Sequence, residues 1–323
     1  MLQFLRSLLD SPPSPDQALQ EAVLKTAIER AVDKTDHRLR ALGNYPKRLH
    51  GPVEHALNHV NQLVRQLPPP VEISPSRYGH DPLLRAVFAS AEHMADIFRR
   101  FHNLRDYLDQ HTGLPPDNLY GLLACAKKEK RMLGMELDGE MLRRDVLQTV
   151  ISFEEHVFLA PNDDEASARS ALSVAAFDFL LQSAVDKIAA LRLRRGELSR
   201  KRQILKRKLL SPDPGTPDVA KLEEDIAHID EELGHFGGIE LSLTESLQQV
   251  EAVLNEAEQW LQVAPFRVSL DYRNVKSTSS EALEMIEASS VNGNRRIVLF
   301  GYIPRSQLPE PKDMLKLGRA YLG

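Results

Sequence analysis

The sequence predicts a mainly α protein with a small α+β head, in which a long antiparallel helical hairpin, a coiled-coil stalk, is inserted between strands of a small mixed sheet. Three observations predict it. In the segment 219–261, Val219, Leu222, Ile226, Ile229, Leu233, Phe236, Leu243, Leu247, Val250, Leu254 and Leu261 fall on one heptad stripe, interrupted only at Glu240. Ala184, Ile188, Leu191, Leu198, Leu205 and Leu209 answer it upstream, with Arg195 and Arg202 as two imperfections in the seam. Between the two lie residues 211–217, whose three prolines stop a helix and whose glycine allows the chain to reverse.

Charge supports the pairing. Residues 192–208 carry nine Lys and Arg against Glu197 alone, and residues 218–236 carry seven acids against Lys221 alone. A hairpin turning at 211–217 sets these segments side by side, where opposite charge fixes register more than it adds stability. Arms of roughly 40 residues at about 1.5 Å each give a stalk on the order of 60 Å.

The remaining elements follow in order. Residues 1–10 place Leu2, Leu5, Leu8 and Leu9 on one face of a short helix. Asp16 opens a helix ending near Gly43, and Gly51-Pro52 precedes a second helix through Val53, Leu57, Val60 and Val64, stopped by Pro68, Pro69 and Pro70. Val71 and Ile73 fit an edge strand. Asp81-Pro82 caps one long helix to Leu108, and Asp117 or Asn118 caps another to about Arg131, with Cys125 inside it. Asp138-Gly139 is a hairpin signal, and Val146 to Phe158 is rich in β-branched and aromatic residues, which favours strands over 132–160, while apolar residues that also recur at helical spacing leave a helix as the alternative. After Pro265, segments 266–272 and 296–303 read as strands separated by a helix over 279–288, and Met314, Leu315 and Leu317 mark a last helix. The domains are therefore a helical N-terminal region (1–131), a small α+β head (132–161 with 265–323) and the hairpin (162–264).

Composition bounds the function. A net charge of −5 and a pI near 6.1 give no general attraction to nucleic acid or anionic membrane. No segment has the ~20 apolar residues of a membrane span, so membrane contact is confined to residues 1–10 and the expected compartment is the cytoplasm. A single cysteine excludes a disulfide framework. There is no phosphate-binding glycine loop, nucleophile elbow, Cys-x-x-Cys pair or calcium loop, so no cofactor is implied.

Two constellations carry chemistry. His50, His55 and His59 have a spacing that could gather around a metal ion, though without the arrangement of zinc hydrolases. Glu154 and His156 share a face if they stand on a strand, an acid–base pair if they line a cleft and a surface ion-pair group otherwise. In the hairpin, Arg195, Arg202, Arg200 and Lys201 are the partner-binding candidates. The leading expectation is a non-catalytic interaction, scaffold or regulatory protein that binds a protein partner or a second copy of itself. The alternatives are a metal-dependent enzyme built on the histidines and a nucleic-acid binder using the basic arm.

Overall fold

The computed structural model describes residues 15–110, 116–138, 141–210, 219–235, 243–277 and 280–308. The expectations for residues 1–10, for the reversal at 211–217, for the Asp138-Gly139 turn, for the phase of the returning arm through Gly237 and Gly238, and for the last helix lie outside these residues. The chain forms two compact units, each drawn from two separate stretches: 1–58 with 177–257, and 59–176 with 258–323. Among the described residues, no helix is long and apolar enough to cross a membrane.

The first unit is helical. Helix α1 (Pro15–Thr35) is followed by a 3-10 turn (His37–Ala41), whose N-cap Asp36 accepts from the Arg38 backbone N–H. Helix α2 (Tyr45–Arg65) starts beside Pro46 and continues through Gly51-Pro52, where the sequence suggests a break. One apolar face explains the continuity, since Leu49, Val53, Ala56 and Val60 are all fully buried at helical spacing. Packing of that face offsets the proline's missing hydrogen bond.

Helix α7 (Glu165–Leu210) is 46 residues long, and α8 (Val219–His235) and α9 (Leu243–Asn255) return along it. Charged pairs fasten the helices of this unit to one another, α1 to α7 and α2 to α9. Arg30 grips Asp178 through two hydrogen bonds of 2.6 Å, and Arg48 holds Glu251 in the same forked way.

The second unit is built on a six-stranded sheet, which overturns the expected small mixed sheet. After α2 come β1 (Val71–Glu72) and the short helices α3 (Pro75–Tyr78), α4 (Pro82–Val87), α5 (Ala91–Arg100) and α6 (His102–Gln110). The long strands β2 (Asn118–Asp138, 21 residues) and β3 (Met141–Asn162, 22 residues) lead into α7. Following α9, the chain adds α10 (Ala257–Trp260), β4 (Leu261–Ser269), β5 (Ala282–Ser290) and β6 (Arg295–Pro304). The order is β3-β2-β6-β5-β4, antiparallel throughout, and β1 alone runs parallel, beside β6.

Two segments read as helices are strands, 118–131 and 282–290. Ala, Lys, Glu and Arg favour a helix locally, but burial alternates along β2 and decides the outcome. Leu119, Leu123 and Cys125 enter a core with Phe88, Phe98, Phe158 and Ile303, while Ala124 faces a second core with Val64, Leu172, Val298 and Phe300. The expected helix from Asp81 to Leu108 is three helices. Its N-cap Asp81 does accept from the Leu83 and Leu84 N–H groups, but Phe88 is extended and Ser90 caps a fresh start by accepting from His93 N–H at 3.0 Å.

Strand β3 carries three register shifts against β2, and in each it supplies the extra residue. Asp145, Glu155 and Ala160, one in each shift, have φ of 59°, 55° and 52°. These bulges bend the strand and raise its twist. The bent sheet joins its own ends: Val275 bridges to Val150 of β3, while Lys276 pairs with Leu270 just beyond β4. The large apolar core lies within this curl, together with side chains of α4, α5 and α6.

Candidate functional site

The hairpin segments of α7 and α8 bring together most of the residues singled out from sequence. Leu198 packs with Ile229 and Leu233, all buried, and Leu205 extends the cluster. Beside it, Arg194 approaches Glu232 at 3.5 Å, and Arg202 meets Asp230 at 2.5 Å and 3.2 Å. Arg195 is only 3% exposed and donates to Glu245 of α9 at 3.0 Å. The two arginines that interrupt the apolar stripe therefore serve as internal fasteners.

Arg200 and Lys201 are placed differently. Both are exposed, and among the described residues neither forms an ion pair, nor do Lys206, Arg207 and Lys208. At about 100° per residue, Leu193, Arg200, Ile204 and Arg207 share a face of α7 opposite the seam. Leu193 and Ile204 stand 66% and 55% exposed on it. The outer surface of this arm is thus cationic with aliphatic patches.

Between the arms is a groove of about 380 Å³, lined by Lys206, Leu209 and Leu210 from α7 and by Glu223, Ile226, Ala227 and Asp230 from α8. The heptad stripe accounts for Leu209 and Ile226. It gives no hint of the polar rims, since Lys206, Glu223 and Asp230 lie off the stripe.

At the base of the basic segment, Arg192 reaches Asp36 at 3.2 Å, while Arg38 clasps the same carboxylate at 2.7 Å and 2.9 Å. These bonds, with that from Arg38 chiefly responsible, hold the nearly buried Asp36 carboxyl at a pKa of about 2. Nothing in the helical periodicity marks Asp36. The signal available is a capping residue followed by basic side chains.

The histidines take separate partners. His50 lies 3.8 Å from Glu21, and His59 meets the Leu261 carbonyl oxygen at 2.8 Å with Glu258 3.9 Å from its other nitrogen. His55 also makes a contact. Among the described residues, no group of three or more His, Cys, Asp or Glu side chains is placed to hold a metal ion.

Glu154 and His156 are separated by the bulge at Glu155, which breaks the alternation that would have put them on one face. Glu154 is exposed and pairs with Lys128 at 2.8 Å. His156 turns inward, stacks on Phe88 and lies 3.0 Å from the Val87 carbonyl oxygen, and burial lowers its pKa. The Cys125 thiol is buried against the Ile297 carbonyl, and desolvation pushes its pKa up to about 12, which leaves it an inert core group.

A cleft of about 560 Å³ in the second unit is lined by Tyr78, Arg85 and Tyr272 among others. Three of its carboxylates have local structural work. Asp81 caps α4, Asp271 accepts from the backbone N–H groups of Arg273 and Val275, and Glu284 pairs with Arg267. Comparison of the chain with family models, with curated proteins and with solved structures returned no match.

Proposed function

We propose that this chain is a non-catalytic interaction protein of the cytoplasm that uses the helical hairpin of α7 and α8 to bind a protein partner. The observation that supports this reading is the division of labour among the hairpin's cations. Arg194, Arg195 and Arg202 are committed to acids of the same chain, while Arg200, Lys201, Lys206, Arg207 and Lys208 are presented around exposed Leu193, Ile204 and Leu210. Apolar patches rimmed by charge have the layout of protein-binding surfaces.

Chemical cross-linking of the intact protein in native extract, read by mass spectrometry, tests it. Cross-links to other polypeptides are expected on Lys201, Lys206, Lys208 and Lys221 of the hairpin. Links found on Lys128, Lys130 and Lys276 of the sheet, with none on the hairpin, would overturn the proposal.

A further inference from the structure

The groove between α7 and α8 has an uneven pattern of charge. Its α7 rim carries Lys206, its α8 rim carries Glu223 and Asp230, and its floor is aliphatic, formed by Leu209, Ile226 and Ala227 with Leu210 at the open end. Leu210 is 84% exposed. Lys206 forms no ion pair among the described residues although two carboxylates line the same groove, and Asp230 is already engaged by Arg202. The face therefore presents a cationic edge, an apolar centre and an anionic edge, side by side.

A partner bearing one sign of charge satisfies one of these edges and repels the other. A partner with both signs in the reverse order satisfies both, and a second copy of the same face supplies that order under a suitable rotation. A two-fold axis across the helices, in the plane of the contact, would lay α7 on α7 and set cation against cation. A two-fold axis running along the hairpin instead lays the α7 of each copy over the α8 of the other. Helix directions are then antiparallel between neighbours, and residues that share a level within one hairpin share it across the contact. Lys206 of each chain reaches the Glu223 edge of the other, and Leu209 and Leu210 of each are covered by Ile226 and Ala227 of the other.

We infer that this grooved flank is a self-association surface, and that two copies pair along it as an antiparallel four-helix arrangement with each basic arm against an acidic one. The inference rests on the reading of the hairpin as the working surface and names its occupant as a second copy of this chain. Antiparallel four-helix packing with short connections is a stable solution for such amphipathic arms, and the alternation of charge around it selects against like-with-like pairing.

Sedimentation equilibrium of the full-length protein, over concentrations up to about 100 µM, provides the test. A reversible dimer that weakens with added salt is expected. Lys206→Glu and Glu223→Lys should each raise the dissociation constant about tenfold, because each reversal acts twice in a symmetric contact. The double variant Lys206→Glu/Glu223→Lys should recover dimerisation to within about threefold of the natural chain. Leu210→Asp, at an exposed position, should also weaken the dimer. Circular dichroism and melting of every variant separate lost association from lost folding. A chain that remains monomeric, or a dimer indifferent to both single reversals, overturns the inference. Single reversals that weaken the dimer without recovery in the double variant overturn the axial pairing. A monomer whose cross-links to another protein still fall on the hairpin lysines removes self-association alone, whereas cross-links confined to the sheet remove the functional reading itself.

Discussion

Arg195 and Arg202 lie seven residues apart on one stripe of α7, yet their surroundings make them different kinds of residue. Arg195 is buried beside Glu245, and Arg202 is partly open to water beside Asp230. Truncating a buried member of an ion pair strands its partner's charge in a poorly solvated site, while truncating an accessible one lets water take its place. Arg195→Ala should therefore cost about 2–3 kcal/mol in urea unfolding, and Arg202→Ala less than about 1 kcal/mol. Equal costs would show that the seam is not a desolvated environment. Asp36 gives a second residue-scale expectation. Its folded pKa of about 2 lies below the ordinary carboxylate value, so the stabilisation is complete above the unfolded pKa and is lost as pH falls through the folded one. Asp36→Asn should remove about 1–2 kcal/mol at pH 7 and flatten the decline in stability between about pH 5 and pH 2. The seam arginines are visible in sequence as interruptions of a stripe. The acid that meets Arg202, Asp230, lies in the segment 218–236 that the charge pattern sets against 192–208, whereas Glu245 lies outside it, 50 residues from Arg195, and nothing local links them.

Elements were legible where one local signal dominates. Asp81-Pro82 states a helix start in two residues, and the structure places the cap there. Buried Leu198, Ile229 and Leu233 stand on the alternating stripe of the hairpin. Strand β2 was not legible, because its helix-favouring composition is overridden by two cores that claim alternate side chains. The bulges of β3 were equally hidden, since Asp145, Glu155 and Ala160 include no glycine to announce a left-handed backbone. One glycine at the centre of the sheet does have a strict role. Gly301 of β6 pairs with Gly121 of β2 and with Val71 of β1, and a Cβ there would press into the Val71 carbonyl oxygen and the Ile73 side chain. Gly301→Val should destabilise the second unit by about 2–3 kcal/mol and release β1, read as faster hydrogen exchange at Ile73, whose N–H donates to the Tyr302 carbonyl. Unchanged protection at Ile73 would contradict this packing account.

The sequence suggests a head drawn from two separate stretches, and the chain carries this division further, since each compact unit takes one stretch from the first half and one from the second and the N-terminal region is split between them near residue 58. Native-state hydrogen exchange should accordingly resolve blocks that combine 59–176 with 258–308, and 19–58 with 177–255. Protection that instead divides the chain once, into an N-terminal and a C-terminal half, would contradict this architecture. The returning hairpin suggests that strands on either side of it meet, but a particular long-range pairing such as that of Cys125 with Ile297 has no local signature. That pairing has a further consequence for how the protein is made. Strand β2 leaves the ribosome 172 residues ahead of its neighbour in β6, so during synthesis it can form only the ribbon with β3. The helices of α7, α8 and α9 emerge in the interval. At the usual pace of about 5–20 residues per second, the nascent chain carries an unfinished sheet edge for roughly ten seconds or more. The bulges that curve β3 in the finished protein lie on the ribbon's other edge, where they raise its twist and take it out of the flat form that neighbouring chains could extend.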